Sequence, residues 1–415
     1  AEADNPANYS EAETEFGIIP ANASLGQKDF SSPFGVICHW GTDIAYETIK
    51  RLGIEWVRQD VADLVFDQGF VDKALAHHLC YMAVLKKYEN LPAALFAPTL
   101  ASNPGFPRSG PGSWNYTEQV AFYRWMAANL GYGIDAYDLM NEPWNGQWDE
   151  VLGGGWNGGP WLETFADYGR KIAQVIHGED PTGLIIWPEN SLRFYDDFYR
   201  YGLAEKNNVI GDHPYNIDAR NPWPEDQEII AYHADSWFHF GNSNHLPWRY
   251  WASEVGYSSF QNADPQTPRG RSNTLPQQAE MLVRMMVLQL YWGVEKIFWY
   301  DLYNDGPDPC EMENNFGLMR TGPKPAAVAY ACLIHKFKGW ERIPRCQFGG
   351  GEQVHAYAWK QPATGNLTMI AWIRDGSMSC TIPVSSAIAQ VTLTDIYGRS
   401  TSVAVQNHEI AIPLG

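Results

Sequence analysis

Between residues 34 and 338, short β-rich runs alternate with helix-patterned stretches eight times over, and few folds accept such a chain. The strand candidates are Phe34–Trp40, Ile54–Val61, Tyr81–Leu85, Ile134–Met140, Leu184–Pro188, Val209–Tyr215, Arg249–Glu254 and Lys296–Tyr303. Between them lie apolar residues at helical spacing, as in Leu162, Phe165, Ala166, Gly169, Ile172, Ala173 and Ile176. A second helical run starts at Pro276 and stops at Gly293, the residues that favour those two ends. Strands separated by helices must pair in parallel, so the pattern predicts a (β/α)8 TIM barrel. After Gly339 the period changes to short alternating runs, which predicts a small C-terminal antiparallel β-sandwich. The expected domains are therefore 30–338, the barrel, and 339–415 with part of 1–29, the sandwich; Glu15–Ile19 is a candidate extra strand.

Charge and composition narrow the partners. The net charge of −19, from 29 basic against 48 acidic residues, opposes nucleic acid, anionic membrane surfaces and polyanionic substrates. No apolar run is long enough to predict a membrane span. The 18 Trp exceed ordinary needs and suit stacking on sugar faces, although core packing explains many of them equally well. The six Cys have no CxxC spacing, so no zinc site is expected; a disulfide or two, or free buried thiols, are both open. A monomer, secreted or periplasmic, is expected.

Two short motifs carry chemistry. Met140-Asn141-Glu142-Pro143-Trp144 closes the fourth strand candidate, and Trp251-Ala252-Ser253-Glu254-Val255-Gly256 closes the seventh. Asn-Glu-Pro alone is a weak pattern. Paired with Glu254 it places two carboxylates at strand C-termini across a barrel mouth, as glycoside hydrolysis requires. Two long insertions, Asn145–Pro160 and Tyr257–Leu275, follow the same strands and are expected on that face. Trp40 and Trp144 are candidate sugar platforms, with plain packing the alternative.

In these motifs the chain resembles the clan A glycoside hydrolases, most closely family 39 and next family 5. The resemblance implies that Glu142 is the acid/base and Glu254 the nucleophile of a retaining β-glycosidase. It further implies that Arg58 sits beside the nucleophile and that Asn141 bonds the sugar 2-OH. His213 and Tyr215 are implied to contact substrate and nucleophile, and Trp299 to lie under the sugar ring. Each has an ordinary structural alternative, barrel core in the case of Trp299. The expected substrate is a neutral β-linked carbohydrate, cleaved in an endo manner without metal or organic cofactor; an exo-acting β-glycosidase of the β-xylosidase or iduronidase type, or a non-catalytic sugar-binding barrel, are the alternatives. Desolvation is expected to raise the pKa of Glu142.

Other acidic and basic groups compete for roles. Glu189, Glu311 and Glu313 are candidates to line the cleft, whereas Asp138 is expected to make a structural hydrogen bond. Asn304–Asp308 looks like a calcium loop but lacks EF-hand spacing and is expected to be a turn-rich rim. His77-His78 is expected to serve packing and surface.

Overall fold

A computed structural model describes residues 19, 26–61, 64–85, 116–142, 161–189, 208–215, 223–226, 249–261, 273–343, 354–374 and 376–414. Eight parallel strands close into a barrel in sequential order. They are β1 (Phe34–Ile37), β2 (Trp56–Val61), β3 (Cys80–Leu85), β4 (Ala136–Asp138), β5 (Leu184–Glu189), β6 (Asn208–Asp212), β7 (Arg249–Val255) and β8 (Lys296–Trp299). Gly35 of β1 lies opposite Phe298 of β8 at the closing seam. A Cβ on Gly35 would stand 2.6 Å from the Phe298 ring, so the glycine makes room for that ring.

All eight expected strands exist, but several stop earlier than expected. β4 ends at Asp138, β6 at Asp212 and β8 at Trp299. Leu139 still donates its N–H to Ile186 O, and beyond that rung the chain leaves the ladder for the rim.

The described helices are α1 (Asp43–Leu52), α2 (Leu64–Ala76), α3 (Tyr116–Leu130), α4 (Trp161–Glu179), α5 (Leu275–Trp292) and α6 (Pro325–Phe337). Thr42 caps α1 by accepting from Ala45 N, and Gly53 closes it at φ 88°. Thr274 and Gln277 form a capping box on α5, with Pro276 in its first turn and Gly293 at φ 89° beyond its end. Helices expected after β5 and β6 lie outside the described residues.

Alternation along each strand sorts side chains between two cores. Inside the barrel lie Ile37, Trp56, Cys80, Met82, Ala136, Ile186, Val209, Trp251 and Phe298. Trp56 meets Trp251 edge to face at 5.1 Å. The opposite parity, including Val57, Tyr81, Tyr137, Ile185, Ile210, Ala252, Ile297 and Trp299, packs outward with the helices. Each fully buried large apolar side chain contributes roughly 1.5–3 kcal/mol.

Beyond α6 the strand pairs among the described residues are all antiparallel. The strands are β9 (Glu341–Ile343), β10 (Val354–Lys360), β11 (Leu367–Ile373), β12 (Met378–Pro383), β13 (Gln390–Thr394), β14 (Ser400–Ala404) and β15 (Glu409–Leu414). One face of β10–β11 joins a small core with Cys380, Ile382, Ile410 and Ile412. The other face packs on the barrel's helices: Trp359 meets Phe337 at 4.7 Å, and Tyr357 meets Tyr291 at 4.6 Å. Ile19, the one described residue of the segment Glu15–Ile19, packs against the main core. Cys38, Cys80, Cys310 and Cys332 are free thiols, so none of these four forms the disulfide left open above.

Candidate active site

The C-terminal mouth of the barrel gathers six of the residues singled out from the sequence. Arg58 points inward from β2 and is 2 % exposed. Its Nη1 donates to Glu254 Oε2 at 2.7 Å, and its Nη2 to Asn141 Oδ1 at 2.8 Å. Nε and Nη2 both reach Asp138 Oδ2, at 3.3 and 3.2 Å. Asp138 thus makes the structural bond expected of it. Burial opposes the charge on Arg58, but Asp138 and Glu254 outweigh that and hold the guanidinium charged. Burial pushes the Asp138 carboxyl above the usual range, with Arg58 pulling the other way.

His213 and Tyr215 sit just past β6. His213 Nδ1 lies 2.9 Å from Glu142 Oε1, and its Nε2 lies 3.4 Å from Arg58 Nη2. A guanidinium only donates, so in neutral His213 the proton sits on Nδ1 and points at Glu142. Burial works against a charged His213, yet Glu254 and Glu142 raise its pKa above the ordinary histidine value. Tyr215 donates to Glu254 Oε1 at 3.0 Å. Burial and then Glu254 push its phenol well above the usual pKa, so it remains a donor.

Glu142 does not end the fourth strand, as its sequence position suggests. It stands four residues past Asp138, at φ 49°. That left-handed backbone is uncommon outside glycine and costs about 1–2 kcal/mol. Strain of this kind tends to accumulate where a side chain must be aimed. Here it brings Glu142 to His213 and puts a carboxylate oxygen within 4.8 Å of one from Glu254.

Glu254 is aimed by a bulge. Ala252 pairs with Ile297 and Val255 with Trp299, so β7 spends three residues where β8 spends two. Simple alternation would turn Glu254 outward with Tyr250 and Ala252. The extra residue flips it into the mouth and sends Val255 outward instead. Gly256 permits the next step, because a Cβ there would stand 2.3 Å from Tyr300 O.

Trp299 requires a correction. It is fully buried, on the outward face of β8, with its indole N–H on Phe316 O at 3.3 Å. It is barrel core and has no surface for a sugar. Strand parity explains this: Phe298 points inward, so the aromatic that reaches the mouth from this strand is Tyr300. Tyr300 donates to Asp305 Oδ2 at 2.7 Å and stands edge-on to His39 at 5.6 Å. His39, Tyr300 and Asp301 were not picked out from the sequence, and Asp305 only as part of the turn-rich stretch Asn304–Asp308, although counting by twos from Phe298 would have found Tyr300.

Trp40 is 72 % exposed on the rim beside His39, available as a platform. Trp144 lies outside the described residues, as do the whole insertion Asn145–Pro160 and the middle of the one after Tyr257. Glu313 is exposed. Desolvation of its carboxyl raises its pKa first, then Glu254, Asp305, Glu311 and Glu142 add to it. Asp308 serves the turn-rich rim, capping Cys310 N at 2.9 Å. His77 lies 3.2 Å from Asp43 at the surface.

Glu142, His213 and Glu254 could in principle face a metal ion, since their ligand atoms cluster within 4.8 Å. The guanidinium of Arg58 already supplies the cation there, and a second positive charge would stand against it.

No family model and no curated protein sequence matches the chain. Solved structures do match. A family 39 glycoside hydrolase from the gut symbiont Bacteroides cellulosilyticus WH2 superposes with TM-score 0.69 at 17% identity, covering 92% of this chain and 79% of that one. What is shared is the fold, a closed (β/α)8 barrel followed by antiparallel strands. GH5_18 from Streptomyces cattleya in complex with GlcNAc matches with TM-score 0.52 at 17% identity, covering 73% and 76% of the two chains. The exo-beta-1,4-mannosidase Op5Man5 from Opitutaceae bacterium strain TAV5 gives 0.50 at 13% identity, over 77% and 62%. The fold-level likeness falls on the families that the two motifs resemble.

Proposed function

We propose that this protein is a retaining glycoside hydrolase acting on β-linked sugars, with Glu142 as acid/base and Glu254 as nucleophile. The observation that carries the reading is the approach of the two carboxylates to within 4.8 Å across the mouth. Retaining enzymes separate their carboxyl groups by about 5–5.5 Å, whereas inverting ones leave roughly 6.5–9.5 Å for a water.

The surroundings suit the two roles. Arg58 and Tyr215 each donate to Glu254, one to each oxygen, which aims the carboxylate that attacks the anomeric carbon. As that bond forms, Glu142 gives its proton to the leaving oxygen. His213 fixes the Glu142 carboxyl on one oxygen. Once Glu254 is esterified its negative charge is gone. Glu142, now ionised, takes a proton from water, and the hydroxide oxygen displaces Glu254 from the sugar. Asn141 spends its carbonyl oxygen on Arg58, so it presents its NH2 as donor to a 2-OH.

The substrate favoured is an oligosaccharide or polysaccharide without acidic groups, since carboxylates crowd the mouth. Exposed Trp40 on the rim favours a chain extending past the scissile bond, hence endo action. An exo-acting enzyme of the β-xylosidase type is the second reading.

The test is a panel of β-glycosyl fluorides and polysaccharides with the anomer of the first product read by NMR. Retention is expected, together with labelling of Glu254 by a 2-deoxy-2-fluoro glycoside. An inverted first product, or turnover unaffected in both Glu254→Gln and Glu142→Ala, would sink the assignment.

A further inference from the structure

We propose that the rim between β1 and β8 recognises a protonated amino group, so that the substrate of this site is an amino sugar or a chain that carries one. The inference rests on the glycosidase reading and refines its neutral substrate. His39, Asp301 and Asp305 each offer a ligand atom, all within 4.8 Å of one another. Asp301 is 2 % exposed, and among the described residues no group donates to its Oδ1. A buried carboxyl oxygen left without a donor lacks the hydrogen bond that such groups normally make. Asp305 is accessible above it, holding Tyr300 OH on Oδ2 and lying 3.9 Å from His39 Nε2 through Oδ1. Asp60 stands on the other side of His39, 3.8 Å from Nδ1.

This cluster lies within electrostatic reach of the carboxylate pair. Glu254 acts through space on Tyr300, Asp301 and Glu313, and Asp305 acts on Asp301 and Glu313. Described cations do not balance them. Arg58 is committed to Asp138 and Glu254. Lys324 is buried, on Ser259 Oγ and Asn315 O, and reaches Asp301 only through space. A uronic acid at this rim would meet like charge, and an ammonium would meet its complement.

The 3.9 Å between His39 and Asp305 is wider than tetrahedral zinc sets and within the span of an ammonium. Tetrahedral zinc at about 2.0–2.1 Å sets its ligands roughly 3.4 Å apart, closer than His39 and Asp305 stand. An ammonium donating at about 2.8 Å accommodates acceptors roughly 4.6 Å apart.

The test uses the full chain carrying Glu254→Gln, titrated calorimetrically at mildly acid pH. The probes are glucosamine, galactosamine, mannosamine and deacetylated chitosan oligomers against their N-acetyl and hydroxyl counterparts. Aminated probes should bind on the order of tenfold tighter, the worth of a charged hydrogen bond. The preference should shrink with added salt and in Asp305→Asn. Equal or weaker binding of every aminated probe, or a preference untouched by Asp305→Asn, overturns the proposal. So does stoichiometric binding of Zn2+, Mn2+ or Ca2+ that Asp305→Asn abolishes, which would assign the cluster to a metal. Hydrolysis of neutral glycosides without amine preference sinks this inference and leaves the glycosidase reading standing. Amine preference without any hydrolysis does the reverse.

Discussion

Gly211 of β6 lies directly against Ser253 of β7: a Cβ on the glycine would stand 2.9 Å from Ser253 Oγ and 2.5 Å from Ile186 Cγ2. Ser253 also donates to Asp212 O at 3.3 Å. The close approach of these two residues seats the bulge that turns Glu254 into the mouth. Gly211→Ala should therefore displace the bulge, destabilising the fold by about 1–3 kcal/mol as overpacking does. Turnover should fall more than substrate binding, because Glu254 moves while the rim does not. Urea unfolding and a kcat-against-KM comparison check this; wild-type values for both would show the bulge does not depend on the glycine.

Arg58 joins Glu254, Asn141 and Asp138 in one buried network. Arg58→Met should cost about 3–5 kcal/mol, because Asp138 is left buried without its cation. Arg58→Lys keeps the charge but loses the fork that reaches three partners, and activity should drop about a hundredfold. Adding Asp138→Asn to Arg58→Met should recover part of the lost stability. A double-mutant cycle showing no coupling would contradict the network.

Trp299 and Tyr300 are neighbours in sequence with opposite expected effects. Trp299→Ala should cost about 3–5 kcal/mol of stability, as large core truncations do. Tyr300→Ala should leave stability closer to wild type and raise KM about tenfold through loss of an aromatic contact. Thermal melts beside steady-state kinetics separate them. The reverse pattern would mean that Trp299, not Tyr300, meets the sugar.

Lys324 supplies a pH signature. Burial pulls its pKa from 10.5 down to about 7. Between those values the unfolded chain binds a proton that the folded protein does not, so this lysine makes stability rise with pH across that window. Below about 7 both states are protonated and the contribution is constant. Replacing it by Met removes the dependence. The stability of wild type relative to Lys324→Met should climb from pH 7 toward 10.5, measured by urea unfolding; a flat difference would refute it.

Much of the site was legible because local pattern and chemistry agreed. Arg58, His213 and Tyr215 fall close to strand ends, and the mouth of a parallel barrel collects strand ends wherever the loops go. Glu142 was legible as a motif but not as geometry, since its left-handed backbone lies in a loop and no periodicity reports it. Trp299 was misplaced because aromatic residues on both sides of Phe298–Tyr300 read alike in composition, and only parity distinguishes core from mouth. Asp301 drew no notice, and Asp305 read only as part of a turn-rich rim, because their grouping depends on His39, some 260 residues earlier in the chain.

Alternating strand and helix patterns, turn residues and two carboxylate motifs by themselves determined a parallel barrel, its antiparallel appendage and the acids at its mouth. Those features follow from local propensity and from burial, which repeat every two or 3.6 residues. Tertiary structure alone decided that Glu254 faces inward, that Tyr300 and not Trp299 reaches the mouth, and that a buried Asp301 stands beside His39. A bulge adds one residue to one strand and inverts everything after it, and barrel closure brings β1 against β8; neither leaves a periodic trace in the chain.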